Sequence, residues 1–108
     1  MTSQSARPPS DPAELLRAKL NLETGRLPWA ELQRHFARGV VVRVAQGLDL
    51  VEVAYRFAQD DRERVAAWLD SGQVARASDL DARAWQERGA EFWAIVVAPW
   101  VLVQEIAH

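Results

Sequence analysis

A glutamate and a histidine one helical turn apart are the first residues in this sequence that suggest a chemical site. Glu31 and His35 are spaced by four positions in a segment predicted to be helical from Pro28 onward, so both side chains can reach one metal ion or substrate. A first-row metal usually takes about three or four ligands, and the other histidine, His108, is the terminal residue. Because no third ligand completes the set, the pattern favours a solvated surface pair, and we predict no metal site.

Aspartates occur in two close pairs, a pattern that also suits carboxylate catalysis or magnesium binding. The pairs are Asp60 with Asp61, and Asp79 with Asp81. Each pair falls where a helix is predicted to begin. A carboxylate at a helix start accepts free backbone N–H groups and interacts favourably with the helix dipole. Capping therefore accounts for both pairs, and neither predicts a catalytic centre.

Several other chemistries are excluded by residue type or by context. The sequence has no cysteine, which rules out thiolate catalysis, disulfides and cysteine-ligated metal sites. Its serines lack the context of a nucleophile elbow, and its glycines stand singly instead of forming a phosphate-binding loop. We therefore expect no cofactor and favour a non-enzymatic role. The glycines are Gly25, Gly39, Gly47, Gly72 and Gly89.

Charge and hydropathy argue against nucleic acid and membranes as partners. The net charge is −2 at pH 7, and the arginines are scattered from Arg7 to Arg88 instead of forming a basic stripe. The apolar segment Trp93–Val103 contains Pro99 and spans 11 residues, about half of the roughly 20 that a membrane helix needs. Residues 1–10 lack the apolar core of a signal peptide. Together with the absence of cysteine, these features predict a cytoplasmic protein.

The remaining pattern is that of one small domain. Residues 1–10 are polar and contain adjacent prolines, and we predict a disordered leader there, so that residues 11–108 form the domain. Apolar residues recur at helical spacing in segments that begin at capping residues, which predicts about five helices. Their apolar stripes are Leu16 and Leu20; Trp29, Leu32 and Phe36; Leu50, Val53, Ala54 and Phe57; Val65, Trp68 and Leu69; and Leu80, Ala84 and Trp85.

Strands are predicted where β-branched and aromatic residues dominate. Val40–Ala45 lies between glycines, Gln73–Ala77 is a weaker candidate, and Phe92–Ile106 is the most strand-like stretch, with a bend expected at Pro99. The predicted order is α-α-β-α-α-β-α-β. This order indicates an α+β fold, in which a mixed or antiparallel sheet of about three to four strands packs with about five helices.

The C-terminal strand is apolar on both of its faces. In residues 92–97 the even-numbered side chains point one way and the odd-numbered ones the other, and all of them are apolar. Either helices cover both faces of this strand, or a second subunit covers one of them. We hypothesise a homodimer formed through this strand. The residues expected at its interface are Trp93, Val97, Trp100 and Leu102.

A small-molecule site is the alternative, at the point where polar residues meet the apolar C-terminal segment. Gln104 alternates onto the same side as Trp100 and Leu102, so we predict a buried amide that needs hydrogen-bond partners. Backbone groups can satisfy this amide, and so can a bound ligand. The candidate ligand-binding residues are Glu23, Trp29, Trp100 and Gln104.

Three stretches of the chain form a further pattern. They are Leu20–Thr24 followed by Pro28-Trp29, Leu48–Ala54 leading to Asp60-Asp61, and Pro99–Glu105. This pattern, and its last stretch above all, resembles a family of small bacterial proteins known as domain of unknown function 2288. The resemblance covers most of residues 15–105. It implies a compact stand-alone domain without an assigned activity or catalytic residues.

The function favoured by these features is that of a small interaction or regulatory protein in the cytoplasm. Its expected partner is a second copy of the chain, bound through the C-terminal apolar strand, or an unidentified protein. The alternative is a small-molecule-binding domain or a minor enzyme with its site near the four candidate ligand-binding residues.

Overall fold

The computed structural model describes residues 11–107. The predicted disordered leader, residues 1–10, and the terminal His108 lie outside this range. No helix within it is long and apolar enough to cross a membrane. Among residues 11–107, five helices and five strands follow one another: α1 (Pro12–Leu22), β1 (Gly25–Pro28), α2 (Trp29–Ala37), β2 (Val41–Val44), α3 (Leu50–Ala58), α4 (Arg62–Ser71), β3 (Val74–Arg76), α5 (Asp79–Arg88), β4 (Glu91–Val97) and β5 (Trp100–Glu105).

Helices α1, α3, α4 and α5 begin at residues whose side chains cap them. The side chains of Asp11, Asp49 and Asp61 accept hydrogen bonds from the first turns of α1, α3 and α4. At α5, Ser78 and Asp81 form a reciprocal capping box. Both α4 and α5 end at a glycine in the left-handed conformation. The acidic pairs of the sequence thus contribute to helix starts.

The strands form one mixed sheet in the order β1-β4-β5-β2-β3. β5 and β2 are parallel, whereas the other neighbouring pairs are antiparallel. Strands joined by a single helix, β1 to β2 and β3 to β4, are not neighbours, because α2 and α5 carry the chain across the sheet. The α+β class and the mixed sheet are therefore confirmed.

Helices cover both faces of this sheet and build two apolar cores. α1, α3 and α4 pack on the face that carries Val42, Ile95 and Leu102. α2 and α5 pack on the opposite face, against Phe92 and Val103. Since β4 and β5 lie inside the sheet, their buried side chains point alternately into one core and into the other. The C-terminal segment is apolar on both faces for this reason.

Because the chain's own helices cover both faces of the sheet, the apolar C-terminal strand no longer requires a second subunit. Of the two alternatives left open by the apolar strand, the structure shows the one in which the chain's own helices cover both faces. A homodimer remains a prediction, but it requires a different surface from a bare sheet face. On β4, Trp93 and Val96 are the side chains that stay exposed.

The sheet has one strand more than the upper end of the prediction, because the prediction omits β1. Its four residues, Gly25–Pro28, include a glycine and a proline, which are disfavoured in strands. β1 is an edge strand, and the N–H of the following Trp29 donates to the carbonyl of Ala90, which precedes β4, at 2.9 Å. Because successive N–H groups alternate in direction, the N–H that Pro28 lacks falls on the open side.

The C-terminal stretch is a hairpin, whereas the sequence pattern predicts one strand bent at Pro99. Pro99 lies in the turn, and Val97 pairs with Trp100 across it. β5 then returns antiparallel beside β4 and also pairs with β2. Trp100–Val103 therefore stays within the sheet and pairs on both sides.

Candidate functional site

A groove on the α3 and α4 side of the sheet is the candidate functional site. This Trp100 groove lies where the turn between α3 and α4 meets the hairpin turn between β4 and β5. It consists of two adjoining hollows of about 340 and 270 Å³ that share Phe57, Val65 and Trp100 as walls. Its apolar lining is formed by Val42, Phe57, Val65, Leu69, Val97, Ala98 and Trp100, and its polar rim by Asp60, Asp61, Arg62 and Arg76.

Helices α3 and α4 supply one wall of the Trp100 groove. Phe57 ends the apolar stripe with which α3 packs on the sheet. On α4, Trp68 is buried, but Leu69, one turn beyond Val65, is 49% exposed. The sequence pattern places Leu69 in the core. α4, however, packs on β3, an edge strand of three residues, so that part of its apolar stripe extends past the sheet.

The turn between α3 and α4 is shaped by the acidic pair. Asp60 has a φ of 55°, a left-handed conformation that aspartate tolerates better than most residues. Asp61 then caps α4 by accepting a hydrogen bond from the backbone N–H of Arg64 at 3.2 Å. These two roles place the carboxylates at the rim of the groove and start α4 in its observed direction.

Trp100 lines both hollows of the groove. It is the first residue of β5 and is half-buried. The guanidinium carbon of Arg76 lies 5.2 Å from the centroid of the indole ring, within the range of a cation–π contact. Arg76 also donates a hydrogen bond from Nη2 to the carbonyl of Gly39 at 2.8 Å. The arginine is thus held in place and fixes a ring that remains partly exposed.

The carboxylates around the groove are paired with arginines. Arg56 lies 3.2 Å from Asp61 and 2.9 Å from Glu52, and Arg62 lies 3.4 Å from Asp60. General acid–base catalysis needs a group that is free to exchange a proton with the substrate. The carboxylates at this groove are already engaged by arginines, so the arrangement suits apolar contact rather than proton transfer.

Glu52 is the centre of an ion cluster behind the groove. Its carboxylate accepts hydrogen bonds from Arg17 of α1 at 2.9 Å and from Arg56 at 2.9 Å. The hydrogen bond from Arg17 above all, and that from Arg56, hold the pKa of Glu52 below its ordinary value. The same bond raises the pKa of Arg17. The cluster ties α1 to α3 and, through Arg56, to the capping carboxylate of α4.

We expect Glu52→Gln to destabilise the domain by about 1 kcal/mol at neutral pH, because both arginines lose an ionised partner. A carboxylate with a pKa lowered by folding contributes fully above its unfolded pKa of about 4.3 and loses that contribution as the pH falls through the folded pKa. The difference from wild type should therefore shrink on acidification. Urea unfolding of both proteins at neutral and acidic pH measures this difference in the free energy of unfolding. Glu87→Gln, at an exposed glutamate outside the ion pairs of residues 11–107, is the control. A difference that persists in acid would contradict an ionic origin.

The four residues predicted as a ligand site do not come together. Trp29 is buried on the α2 and α5 face, and the sheet separates it from Trp100 and Gln104 on the opposite face. Glu23 is exposed at the end of α1. The side-chain amide of Gln104 donates to two backbone carbonyls. Of these four residues, Trp100 lines the groove.

The four residues predicted at a subunit interface differ in their exposure. Leu102 has 0% of its surface exposed, so it offers no contact area to a partner. Val97 and Trp100 are half-buried and line the groove. Trp93 is 42% exposed on β4, where the guanidinium of Arg26 lies 5.8 Å from its ring centroid.

The pair Glu31 and His35 stays on the surface of α2 and gains no further ligand. Within residues 11–107, no three histidine, aspartate or glutamate side chains are arranged to hold a metal ion. Sequence reasoning does not identify Phe57, Val65 and Leu69 as site residues, because their spacing is typical of a helix face that packs in a core. The acidic pair at residues 60 and 61 is the one local signal near the groove, and it marks only the turn.

Comparison with known proteins relates most of the chain to one family. A family model described as protein of unknown function (DUF2288) matches residues 15–105. Among solved structures, the chain is similar to the NMR solution structure of PA1075 from Pseudomonas aeruginosa, with 47% sequence identity, a TM-score of 0.77 and coverage of 94% of each chain. No curated protein matches the chain. The resemblance found in the sequence is therefore confirmed, and it brings no assigned activity.

Proposed function

The chain belongs to the DUF2288 family of proteins of unknown function, and we propose that it is a non-enzymatic interaction domain that binds a segment of another protein in the Trp100 groove. The observation that supports this proposal is an apolar lining bordered by carboxylates that are already paired with arginines. Such a site offers contact area and charge complementarity, and its carboxylates already have arginine partners. Tryptophan and arginine, represented by Trp100 and Arg76, are also the side chains that most often dominate binding energy at protein interfaces.

The dimensions of the groove favour a peptide segment over an enclosed metabolite. Its hollows of about 340 and 270 Å³ lie near the lower limit of the roughly 300–1,000 Å³ of small-molecule sites. Leu69 on the rim is 49% exposed, so the groove is open to solvent. An open groove of this size accommodates one or two large apolar side chains while the rest of the segment stays outside.

The exposed rim indicates what the segment carries beside its apolar residues. Asp60 and Arg62 are 76% and 86% exposed, and a surface ion pair of this kind contributes little to stability. A partner can therefore replace one of the two charges with its own at low cost. We propose an amphipathic segment with apolar side chains next to Trp100 and a charged side chain that meets Asp60 or Arg62.

The proposal includes a cytoplasmic location and a protein partner that is still to be identified. A sheet covered by helices on both faces forms two cores without covalent cross-links. Such a domain is compatible with a reducing compartment.

Leu69→Asp is expected to weaken the binding of groove-selected peptides at least about tenfold, because apolar docking would bury an unpaired carboxylate beside Trp100. Peptides are first selected from a displayed random library against the wild-type protein. Their affinities for the variants are then measured by calorimetry. The matched control is Leu80→Asp, which changes a leucine that is 74% exposed on α5. This control should bind the peptides as wild type does.

Peptides that bind the Leu69→Asp variant as tightly as wild type would place the interface elsewhere and overturn the proposal. Failure to select any peptide would count against it as well. If small apolar compounds instead shift the NMR signals of Trp100, the small-molecule alternative would replace it. Circular dichroism of both variants checks that the substitutions leave the fold intact.

A further inference from the structure

Strand β4 has a backbone edge that is only partly covered. β5 pairs with β4 from Phe92 to Val97, along nearly its whole length. On the other side, β1 pairs with Glu91–Ala94 and stops. The last three residues of β4, Ile95–Val97, therefore have no strand on that side among residues 11–107. An open stretch of edge is a template for pairing with another strand.

The hydrogen-bond pattern identifies the free groups as those of Val96. Ile106 donates its N–H to the carbonyl of Glu91 at 2.8 Å, which means that the odd-numbered residues of β4 bond to β5. Trp29 donates to the carbonyl of Ala90 at 2.9 Å, so the even-numbered residues bond toward β1. The N–H and the carbonyl of Val96 consequently point outward, past the end of β1.

The chain itself does not close this gap. In the register of β1, the residue opposite Val96 would be Glu23, but Glu23 has helical backbone angles and caps α1. The N–H of Glu23 donates to the carbonyl of Lys19 at 3.0 Å. Between Glu23 and Gly25 the chain thus turns from α1 into β1, and it does not continue along β4.

Exposed apolar side chains accompany the open edge. Val96 is 62% exposed and Trp93 is 42% exposed on the opposite face of the same strand. Leu22, at 84%, ends α1 three residues before Gly25, and Gly25 is the residue that pairs with Ala94. A strand edge flanked by large exposed apolar groups on both faces has the composition of a contact surface.

We propose that this edge pairs with the same edge of a second copy of the chain, antiparallel and about a two-fold axis at Val96. Two backbone hydrogen bonds then form across the axis, because each Val96 N–H donates to the Val96 carbonyl of the other copy. Ile95 lies opposite Val97 of the second copy, so that β-branched side chains form the cross-strand pairs. β1 on one side and the hairpin turn on the other limit the ladder to these three residues. A second copy has an opening of the same length, whereas a longer strand would meet β1.

Such a contact is small, and we expect a weak, reversible dimer. Sedimentation equilibrium of the wild-type protein up to about 1 mM should show concentration-dependent association. This inference does not depend on the Trp100 groove, so the Leu69→Asp variant should associate as wild type does. Failure of one proposal thus leaves the other intact.

A charge-swap experiment tests the two-fold axis itself. In a dimer centred on Val96, Val96→Lys places two positive charges opposite each other, and Val96→Glu places two negative charges there. Each variant alone should associate at least about tenfold more weakly than wild type. An equimolar mixture of the two should recover dimers that contain one copy of each. The same swaps at Leu80, which is 74% exposed on α5, should change nothing.

A second variant tests the backbone. Val96→Pro removes the outward N–H but no hydrogen bond to β5, so it should abolish association while circular dichroism stays that of wild type. A wild-type protein that is monomeric at about 1 mM would overturn the proposal. So would a dimer that tolerates Val96→Lys, or a mixture of the Lys and Glu variants that stays monomeric.

Discussion

Phe92→Ala is expected to lower the free energy of unfolding by about 3–5 kcal/mol, the largest effect of any substitution considered for this protein. Phe92 has 0% of its surface exposed and lies on the α2 and α5 face of β4. Its ring meets Trp85 edge to face at a centroid distance of 4.8 Å, and Trp85 in turn lies 5.7 Å from Trp29. Removing the phenyl ring leaves a cavity and also removes the aromatic contact. A loss of this size is a large part of the roughly 5–15 kcal/mol that stabilises a small domain.

The neighbouring residue provides the control for this prediction. Trp93 is larger than Phe92, but it points to the other face of β4 and is 42% exposed. We expect Trp93→Ala to cost about 1 kcal/mol, since a large part of this side chain faces solvent and its ring contacts the exposed Arg26. Urea unfolding of both variants gives the comparison. If Trp93→Ala proved the more destabilising, the pairing of β4 would have to be shifted by one residue, which exchanges its two faces.

The sequence predicts well those features that depend on residues within about one helical turn of each other. Asp49 caps α3 by accepting from the N–H groups of Val51 and Glu52, its near neighbours. Gly72 ends α4 because a left-handed residue is required there and glycine adopts that conformation without strain. Such effects depend on residues that are adjacent in sequence. Local sequence is accordingly sufficient to predict where these helices begin and end.

The features that the sequence does not predict depend on residues far apart in the chain. β1 is a strand because Leu27 pairs with Phe92, although its own four residues have little strand preference. The Trp100 groove combines residues from α3, α4, β2, β3 and both strands of the hairpin. The sequence pattern places Leu69 in the core because its spacing on α4 is the same whether the sheet beneath continues or ends. No local pattern distinguishes those two cases.

The apolar C-terminal segment has one feature that the sequence predicts and one that it does not. Its composition indicates correctly that β4 and β5 carry buried residues on both faces. Composition does not reveal what covers them, because helices of the same chain and a second subunit require the same apolar residues. The structure supplies the helices, and the open edge at Val96 is a property of the backbone that side-chain patterns do not contain.

Gln104→Leu is expected to destabilise the domain by about 2 kcal/mol, although leucine is apolar and similar in size. The amide nitrogen of Gln104 donates to the carbonyls of Ala45 and Leu48, at 2.8 and 2.7 Å. These carbonyls belong to the connection between β2 and α3. The carbonyl of Ala45 keeps a second donor, the N–H of Leu48 at 3.1 Å, so the loss falls mainly on the carbonyl of Leu48. Urea unfolding measures the effect, and faster amide exchange in residues 45–49 should accompany it.

Gln46 provides the matched control, because its side-chain amide also donates to a backbone carbonyl, that of Glu105, but on an exposed surface. Water can replace that bond, so Gln46→Leu should cost less than about 0.5 kcal/mol. Unchanged stability of the Gln104→Leu variant would contradict the structural role and return Gln104 to the candidates for ligand binding.

Gln104→Glu tests the loss of the amide donor while the shape of the side chain is nearly unchanged. The carboxylate would face the carbonyls of Ala45 and Leu48 with acceptors only, so at neutral pH this variant should be less stable than Gln104→Leu. Its protonated form regains a donor, so folding raises the pKa of the new carboxyl group above its unfolded value. The stabilising form is then the one present at low pH. The Gln104→Glu variant should gain stability relative to Gln104→Leu as the pH falls, whereas the wild type loses the contribution of Glu52 over the acid range. The two carboxyl groups thus change stability in opposite directions as the pH falls. This difference distinguishes residue 104, which faces carbonyls, from Glu52, which faces arginines.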